Sequence, residues 1–400
     1  MLNKRREDTL VELCKNLIRY PSLSGQERKV ASFVRETMLA MGYDSVDVDY
    51  YGSVTGRIVF GGRGKTLLME AQIDQVEVAD PSEWNYYPFG GFAAGGRIYG
   101  RGSTDQKGSL AAMILAGASL KEDACDRLSG ELIVAGTVHQ ERFEGISSRL
   151  VASKYKPDLV VVGEASDLNV ERGQRGRAEI ILETLGKTAH SANPGLGVNA
   201  AMHMVFLLSE ISRNFVPAVH PFLGSGILEL TNISSFPEQN TGVVPGRCRA
   251  LFDRRLLLGE TKESILSGLE EMIDIAALKD PELRAYVGIS KAADACYTGV
   301  PIKGEHFAPP WLLPEDHPFI KKALAGVGDG GVDGLLSEKA GFGTNGCYYG
   351  GELGIPTIVF GPSSEALAHI IDEYIEIGQL LKGFLGYYGI AGRVLSEYGT

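Results

Sequence analysis

Residues 131–162 read ELIVAGTVHQERFEGISSRLVASKYKPDLVVV. The short apolar runs at 131–135 and 159–162 predict strands, and the pattern at about 145–153 predicts a helix between them. Strands that are apolar throughout, rather than alternating, belong to a sheet covered on both faces. Working outward, RIVF (57–60) and TLLM (66–69) predict earlier strands, with a helix at 108–120. Downstream, PTIVF (356–360) predicts a buried strand, with helices near 316–325 and at 368–384. At the N-terminal end, Leu10, Leu13, Cys14, Leu17 and Ile18 recur at helical spacing, giving a helix over 7–20. Ser24 stands three residues before Glu27, a capping-box signature for the helix that follows.

The pattern changes after Gly176. Residues 178–184 and 226–233 alternate like strands with one wet face, 248–255 is another strand, and helices are expected at about 197–213 and 262–276. The expectation is therefore an α/β domain (1–176 and 292–400) with a mostly parallel sheet flanked by helices, interrupted by an inserted α+β domain (177–291).

Composition narrows the function class. The 400 residues are 44% hydrophobic and 22% charged, with a formal net charge of -11. A phosphate backbone needs a basic face, so nucleic acid is not an expected partner. No stretch approaches the roughly 20 apolar residues of a membrane span, and the first residues do not read as a signal peptide. The five cysteines are scattered, with no CxxC pair, which points to a reducing cytosol. The glycine-rich pieces GGRG (61–64) and GDGGVDG (328–334) lack the spacing of phosphate loops and read as turns.

Functional groups on an α/β sheet gather at the carboxyl ends of strands. Such places carry Gln72 and Asp74 after TLLM, Asp105 before the helix at 108, Gln140 and Glu141 after 131–138, Glu164 after 159–162, and His369 after PTIVF. Any one of these acids could cap a helix or sit in a solvated loop. Asp105, Glu141, Glu164 and His369 together, with Asp74 behind, would repel unless a cation neutralised them. Carboxylate and imidazole ligands suit zinc, manganese or cobalt.

These segments, with GKTAHSANPGLGVNA and DRRLLLGET, resemble the metallopeptidase family of acetylornithine deacetylase, succinyl-diaminopimelate desuccinylase, aminoacylase and glutamate carboxypeptidase over nearly the whole chain. The wording of ERGQRG and DRRLLLGET is closest to the selenium-metabolism-linked hydrolases. The resemblance implies two metal ions sharing Asp105. One ion would also take Glu141 and His369. The other would take Glu164 and the histidine of an HxD motif, whose aspartate, Asp74, orients that histidine. It further implies that His190 stabilises an oxyanion, that the inserted domain forms a homodimer, and that Asn240 and Arg255 lie among substrate or dimer contacts. Asn345, in GTNG, is a further candidate to face the substrate, against the plainer reading of a turn residue. For Arg255 the plainer reading is an ion pair at a strand end.

The chain departs from that pattern twice. The HxD histidine is Gln72, and the general-base glutamate is Gln140. A glutamine accepts no proton at neutral pH. Its carbonyl can ligate a metal but is neutral, so the metal position shared with Glu164 is weakened and one or two ions per chain are expected. His139 and Glu144 are the neighbouring groups that could replace the base. The expected activity is hydrolysis of an amide in a small N-acyl amino acid, dipeptide or related compound. The alternatives are a non-hydrolytic descendant that binds a small amino-acid-like ligand, or ring closure or acyl transfer in the same pocket.

Overall fold

The computed structural model describes residues 2–238, 242–338 and 340–396. The chain divides into two compact units: Met1–Gln174 with Ala293–Gly304 and Trp311–Thr400, and Arg175–Ala292 with Glu305–Pro310. Among the described residues, no helix is long and apolar enough to cross a membrane.

The first unit is built on a six-stranded sheet. Its strands, in chain order, are β1 (Ser45–Val48), β2 (Val54–Phe60), β3 (Thr66–Gln72), β4 (Gly130–Thr137), β5 (Leu159–Val162) and β10 (Thr357–Val359), and in space they run β1-β2-β4-β3-β5-β10. Pairings β4–β3, β3–β5 and β5–β10 are parallel, while β1–β2 and β2–β4 are antiparallel. The sheet is thus mixed, with the parallel part at its centre and at one edge.

Side chains alternate across a strand, so a continuous apolar run must feed two cores. In β3, Leu67 and Met69 enter one hydrophobic cluster and Leu68 the other. The larger cluster gathers α1 (Lys4–Ile18), α2 (Arg28–Ala40), α3 (Gly108–Ala124), α7 (Pro318–Asp329) and α8 (Ile377–Leu395). Helix α3 is buried on every side from Gly108 to Leu120, as its apolar run requires. On the other face, Val151 and Ala152 of α4 (Ser148–Tyr155) pack with Trp311 and Tyr349.

Two local expectations are corrected. Ser24 does not cap α2, which has no side-chain cap; its hydroxyl donates to Asp74 Oδ2 at 2.7 Å instead. The helix expected at 368–384 starts at Ile377 and runs to Leu395. His369 and Asp372 hold positive φ (64° and 53°), which stops a right-handed helix and frees residues 368–373 to form an irregular loop.

The second unit carries β6 (Gly176–Leu185), β7 (Ile227–Phe236), β8 (Arg247–Leu256) and β9 (Arg284–Ile289) in the order β7-β8-β6-β9, all antiparallel, with Phe307–Ala308 also pairing with β6. Burial alternates residue by residue along β6 and β8. Their buried side chains pack with α5 (Ala200–Asn214) and α6 (Lys262–Lys279). Asn199 caps α5, and Thr261 with Ser264 forms a capping box on α6. Strand β7 is one edge of this sheet and is largely exposed.

Candidate metal centre

Strands β3, β4 and β5 run parallel, so their carboxyl ends open at one edge of the first unit. Gln72 ends β3, the turn 139–141 follows β4, and Glu164 follows β5. Asp105 arrives in the turn Ser103–Lys107 that precedes α3. That turn is held from below. Arg101 pairs with the fully buried Glu373 at 2.7 Å, and Glu373 accepts the Thr104 backbone N–H at 2.9 Å. Arg101 also reaches the carbonyls of His369 and Ile370, both at 3.3 Å. One guanidinium therefore ties the segment bearing Asp105 to the loop bearing His369. Lys107, wholly buried, donates to the Tyr20 carbonyl at 2.8 Å and to Gln75, and burial pushes its ammonium down to about 7.

Asp105, Glu141 and His369 converge. His369 Nε2 lies 3.1 Å from Asp105 Oδ2 and 3.6 Å from Glu141 Oε1, and one ligand atom of each residue lies within 4.8 Å of the others. The electrostatics are those of carboxylates short of positive charge. Burial, with Asp105 and Asp74 nearby, pushes Glu141 up to about 8. Hydrogen bonds to Asp105 and then Glu141 raise His369 to about 10. Two carboxylates and an imidazole at this spacing fit one divalent cation of the zinc, manganese or cobalt kind.

The residues expected around a second cation are arranged differently. Gln72 turns its amide nitrogen, not its carbonyl, toward the cluster, donating to Asp105 Oδ1 and Glu141 Oε1, both at 3.0 Å. Its carbonyl accepts from Gln106 Nε2 at 3.0 Å, and the same nitrogen donates to Glu164. So Gln72 is not posed as a ligand, and Glu164 is engaged by an amide; burial, then Asp105, raises the Glu164 carboxyl well above its usual range. Asp74 does not orient Gln72 either. It is fully buried, accepting the backbone N–H of Gln140 and of Glu141, both at 3.1 Å, and the Ser24 hydroxyl. Its role is to fix the turn that presents Glu141.

Of the two neighbours of Gln140, His139 does not stand ready as a base. His139 is fully buried with positive φ (59°), its ring beside Phe143 and its two nitrogens without partners. Burial lowers its pKa. The Glu144 carboxylate lies against Gly343. Gln140 is itself buried.

Asn345 faces the interior rather than a substrate: its amide donates to Glu70 Oε1 (2.6 Å) and Thr137 Oγ1 (3.2 Å), and its carbonyl accepts from Gly145 N (2.7 Å). It helps satisfy the buried Glu70, which also accepts from Ser148 and Tyr349. In the second unit, Arg255 and Arg177 flank Asp253, each with Nε 2.7 Å from a carboxylate oxygen, so the ion pair is the arrangement found. His190 is exposed, and its Nδ1 accepts from Ala192 N at 3.0 Å, which leaves the proton on Nε2. Asn240 lies outside the described residues.

Gln106, Arg101 and Glu373 carry no functional reading in the sequence, and Ser24 reads there only as a helix cap. The only signal for Gln106 was a third glutamine, next to Asp105 in STDQKG. Nothing local marked the Arg101–Glu373 pair, whose members lie 272 residues apart.

A model of peptidase family M20/M25/M40 matches residues 68–393. An uncharacterised protein of Escherichia coli K12, YgeY, is 33% identical over 372 residues, covering 91% of this chain and 89% of that protein. Solved structures with the same fold include a tripeptidase of Staphylococcus aureus (TM-score 0.72, 19% identity, 97% of this chain and 99% of that one). Bacillus subtilis YXEP, described as a dinuclear metal-binding peptidase, gives 0.72 at 15% identity (98% and 99%). Human carnosine dipeptidase 1 gives 0.69 at 16% identity (98% and 96%).

Proposed function

The chain belongs to peptidase family M20/M25/M40, and on that premise we propose that it is a metal-dependent hydrolase of the amide bond in a small N-acyl amino acid, dipeptide or related compound. The observation that carries this reading is the convergence of Asp105, Glu141 and His369, from three distant segments, on ligand spacing. These three would hold the ion, zinc being the first choice for their donor set. A bound divalent ion would polarise the amide carbonyl and acidify water. Asp74 and the Arg101–Glu373 pair position the ligands, as outer partners do in metal sites generally. His190, protonated on Nε2, is a hydrogen-bond donor suited to a developing oxyanion. The similarity in fold to a tripeptidase and a carnosine dipeptidase supports a small amide substrate.

Gln140 favours a second reading, in which the chain binds a small amino-acid-like ligand without hydrolysing it, or carries out ring closure or acyl transfer. A glutamine side chain at the base position takes no proton from water. The experiment that separates the readings is turnover of a panel of acyl-amino acids and dipeptides by metal-loaded protein, wild type against Gln140→Glu. Chelator-sensitive turnover by the wild type supports the hydrolase. Turnover only in the variant supports the non-hydrolytic reading.

We further propose a homodimer formed through the second unit, supported by the exposed Ile227, Leu230 and Ile233 on the edge strand β7. Light scattering coupled to size exclusion tests it. A cytosolic location is supported by free cysteines, four of the five buried.

A further inference from the structure

We propose that the carboxamide of Gln106, working with that of Gln72, takes the place of a second cation, so that this centre loads a single divalent ion. The inference rests on the metal-centre reading above and concerns how that centre is filled.

A primary amide offers two N–H donors and one carbonyl acceptor. Gln72 spends both donors on Asp105 Oδ1 and Glu141 Oε1, and its carbonyl on Gln106. Gln106 spends both of its donors on Gln72 Oε1 and Glu164 Oε1. All four N–H groups thus run as a chain from Glu164 to the Asp105–Glu141 pair. The orientation of each amide is dictated by what surrounds it. Gln106 lies between a carboxylate and a carbonyl, both acceptors, so turning it over would set oxygen against oxygen. The same holds for Gln72 between two carboxylates.

A cation shared by Asp105, Gln72 and Glu164 would require oxygen lone pairs aimed at one point. Here amide hydrogens point instead at Asp105 Oδ1 and Glu164 Oε1, with partial positive charge distributed over two neutral side chains. The substitution gives Glu164 Oε1 a hydrogen-bond partner without a second ion and leaves Asp105 Oδ2, Glu141 and His369 for the first, while Glu164 Oε2 and Gln106 Oε1 stay buried without a partner. Both glutamines are buried, at 1% and 2% exposed, so neither can swing into solvent without repacking its surroundings. Backbone angles at Asp105 (φ −123°, ψ 92°) and Gln106 (φ −131°, ψ 23°) depart from the helix that follows, and this departure lets consecutive residues both reach the cluster.

The test is a count of ions. Chelator-stripped wild-type protein is dialysed to equilibrium against zinc chloride, and separately manganese chloride, and metal per chain is measured by mass spectrometry. Saturation at one ion per chain is the expected result. The double variant Gln72→His with Gln106→Met supplies an imidazole and removes the bridging amide, and is expected to saturate at two. Two ions of comparable affinity in the wild type would overturn the inference while leaving the metal-centre reading intact. No bound ion would overturn that reading and the inference with it. One ion in both proteins would refute the assignment to these two glutamines. Anomalous scattering from metal-soaked wild-type crystals gives an answer independent of the variant. One peak among Asp105, Glu141 and His369 agrees with the inference, and a second peak between Asp105 and Glu164 contradicts it.

Discussion

Replacing Asp74 by asparagine tests whether this residue holds the metal-bearing turn. The wild-type carboxylate accepts three hydrogen bonds: Gln140 N on Oδ1, and Glu141 N with the Ser24 hydroxyl on Oδ2. An asparagine has one carbonyl oxygen and one NH2. Whichever way it turns, one of the two backbone N–H groups meets a donor. The Ser24 hydroxyl can rotate and accept from the new amide, so it is not the loser. One buried N–H without an acceptor costs about 1–3 kcal/mol. Asp74→Ala leaves both unpaired and should cost about twice as much. If about 2 kcal/mol of that falls on the arrangement that presents Glu141, metal affinity drops about 30-fold, at about 1.4 kcal/mol per factor of ten. Urea denaturation of metal-free protein gives the stability change from the shift in midpoint at constant slope. A zinc titration of the same preparations gives the affinity. Equal stabilities for Asp74→Asn, Asp74→Ala and wild type, or affinities unchanged in both, would refute the role assigned to Asp74.

Arg101→Met leaves Glu373 buried and unpaired and should destabilise by about 3–5 kcal/mol, measured the same way, with a loss of zinc affinity because the His369 loop loses its tie. Asn345→Ala should lower stability by about 2 kcal/mol through the unpaired Gly145 N–H and the hydrogen bond lost at Glu70, while leaving metal stoichiometry unchanged; a change in ion count without a stability loss speaks against the structural role. The metal-free protein should lose stability as pH rises. His369 is raised from 6.5 to about 10, so its contribution is complete below pH 6.5 and vanishes through pH 10, and the raised Glu141 acts in the same direction between 4.5 and about 8 because the folded state binds the extra proton. Zinc replaces those protons, so the gain in melting temperature on adding zinc should be larger at pH 8 than at pH 6; an equal gain at both contradicts the assignment. Gln140→Glu should raise hydrolysis of a good substrate by ~10²–10⁴-fold, the usual worth of a general base, read from initial rates.

What the residue order determined by itself was the frame. Continuous apolar runs at β3, β4 and β5 demand a sheet buried on two faces, and the structure distributes neighbours such as Leu67 and Leu68 to opposite cores. Alternation along β6 and β8 demanded a sheet with one covered face. Because functional groups collect where parallel strands end, Glu141 and His369 are legible in the residue order, as is Asp105 from its place before the helix at 108. The tertiary structure decided what these positions do. Which way an amide faces depends on the acceptors around it, and those come from segments far apart in the chain, so Gln72 could be read as a carbonyl ligand until Asp105, Glu141 and Gln106 stood beside it. In the same way, Asp74 binds the turn after β4 because Gln140 N and Glu141 N point at it, and Asn345 turns inward because Glu70 is buried there. Local spacing specifies where a side chain leaves the backbone; its hydrogen-bond partners are set only when distant elements pack.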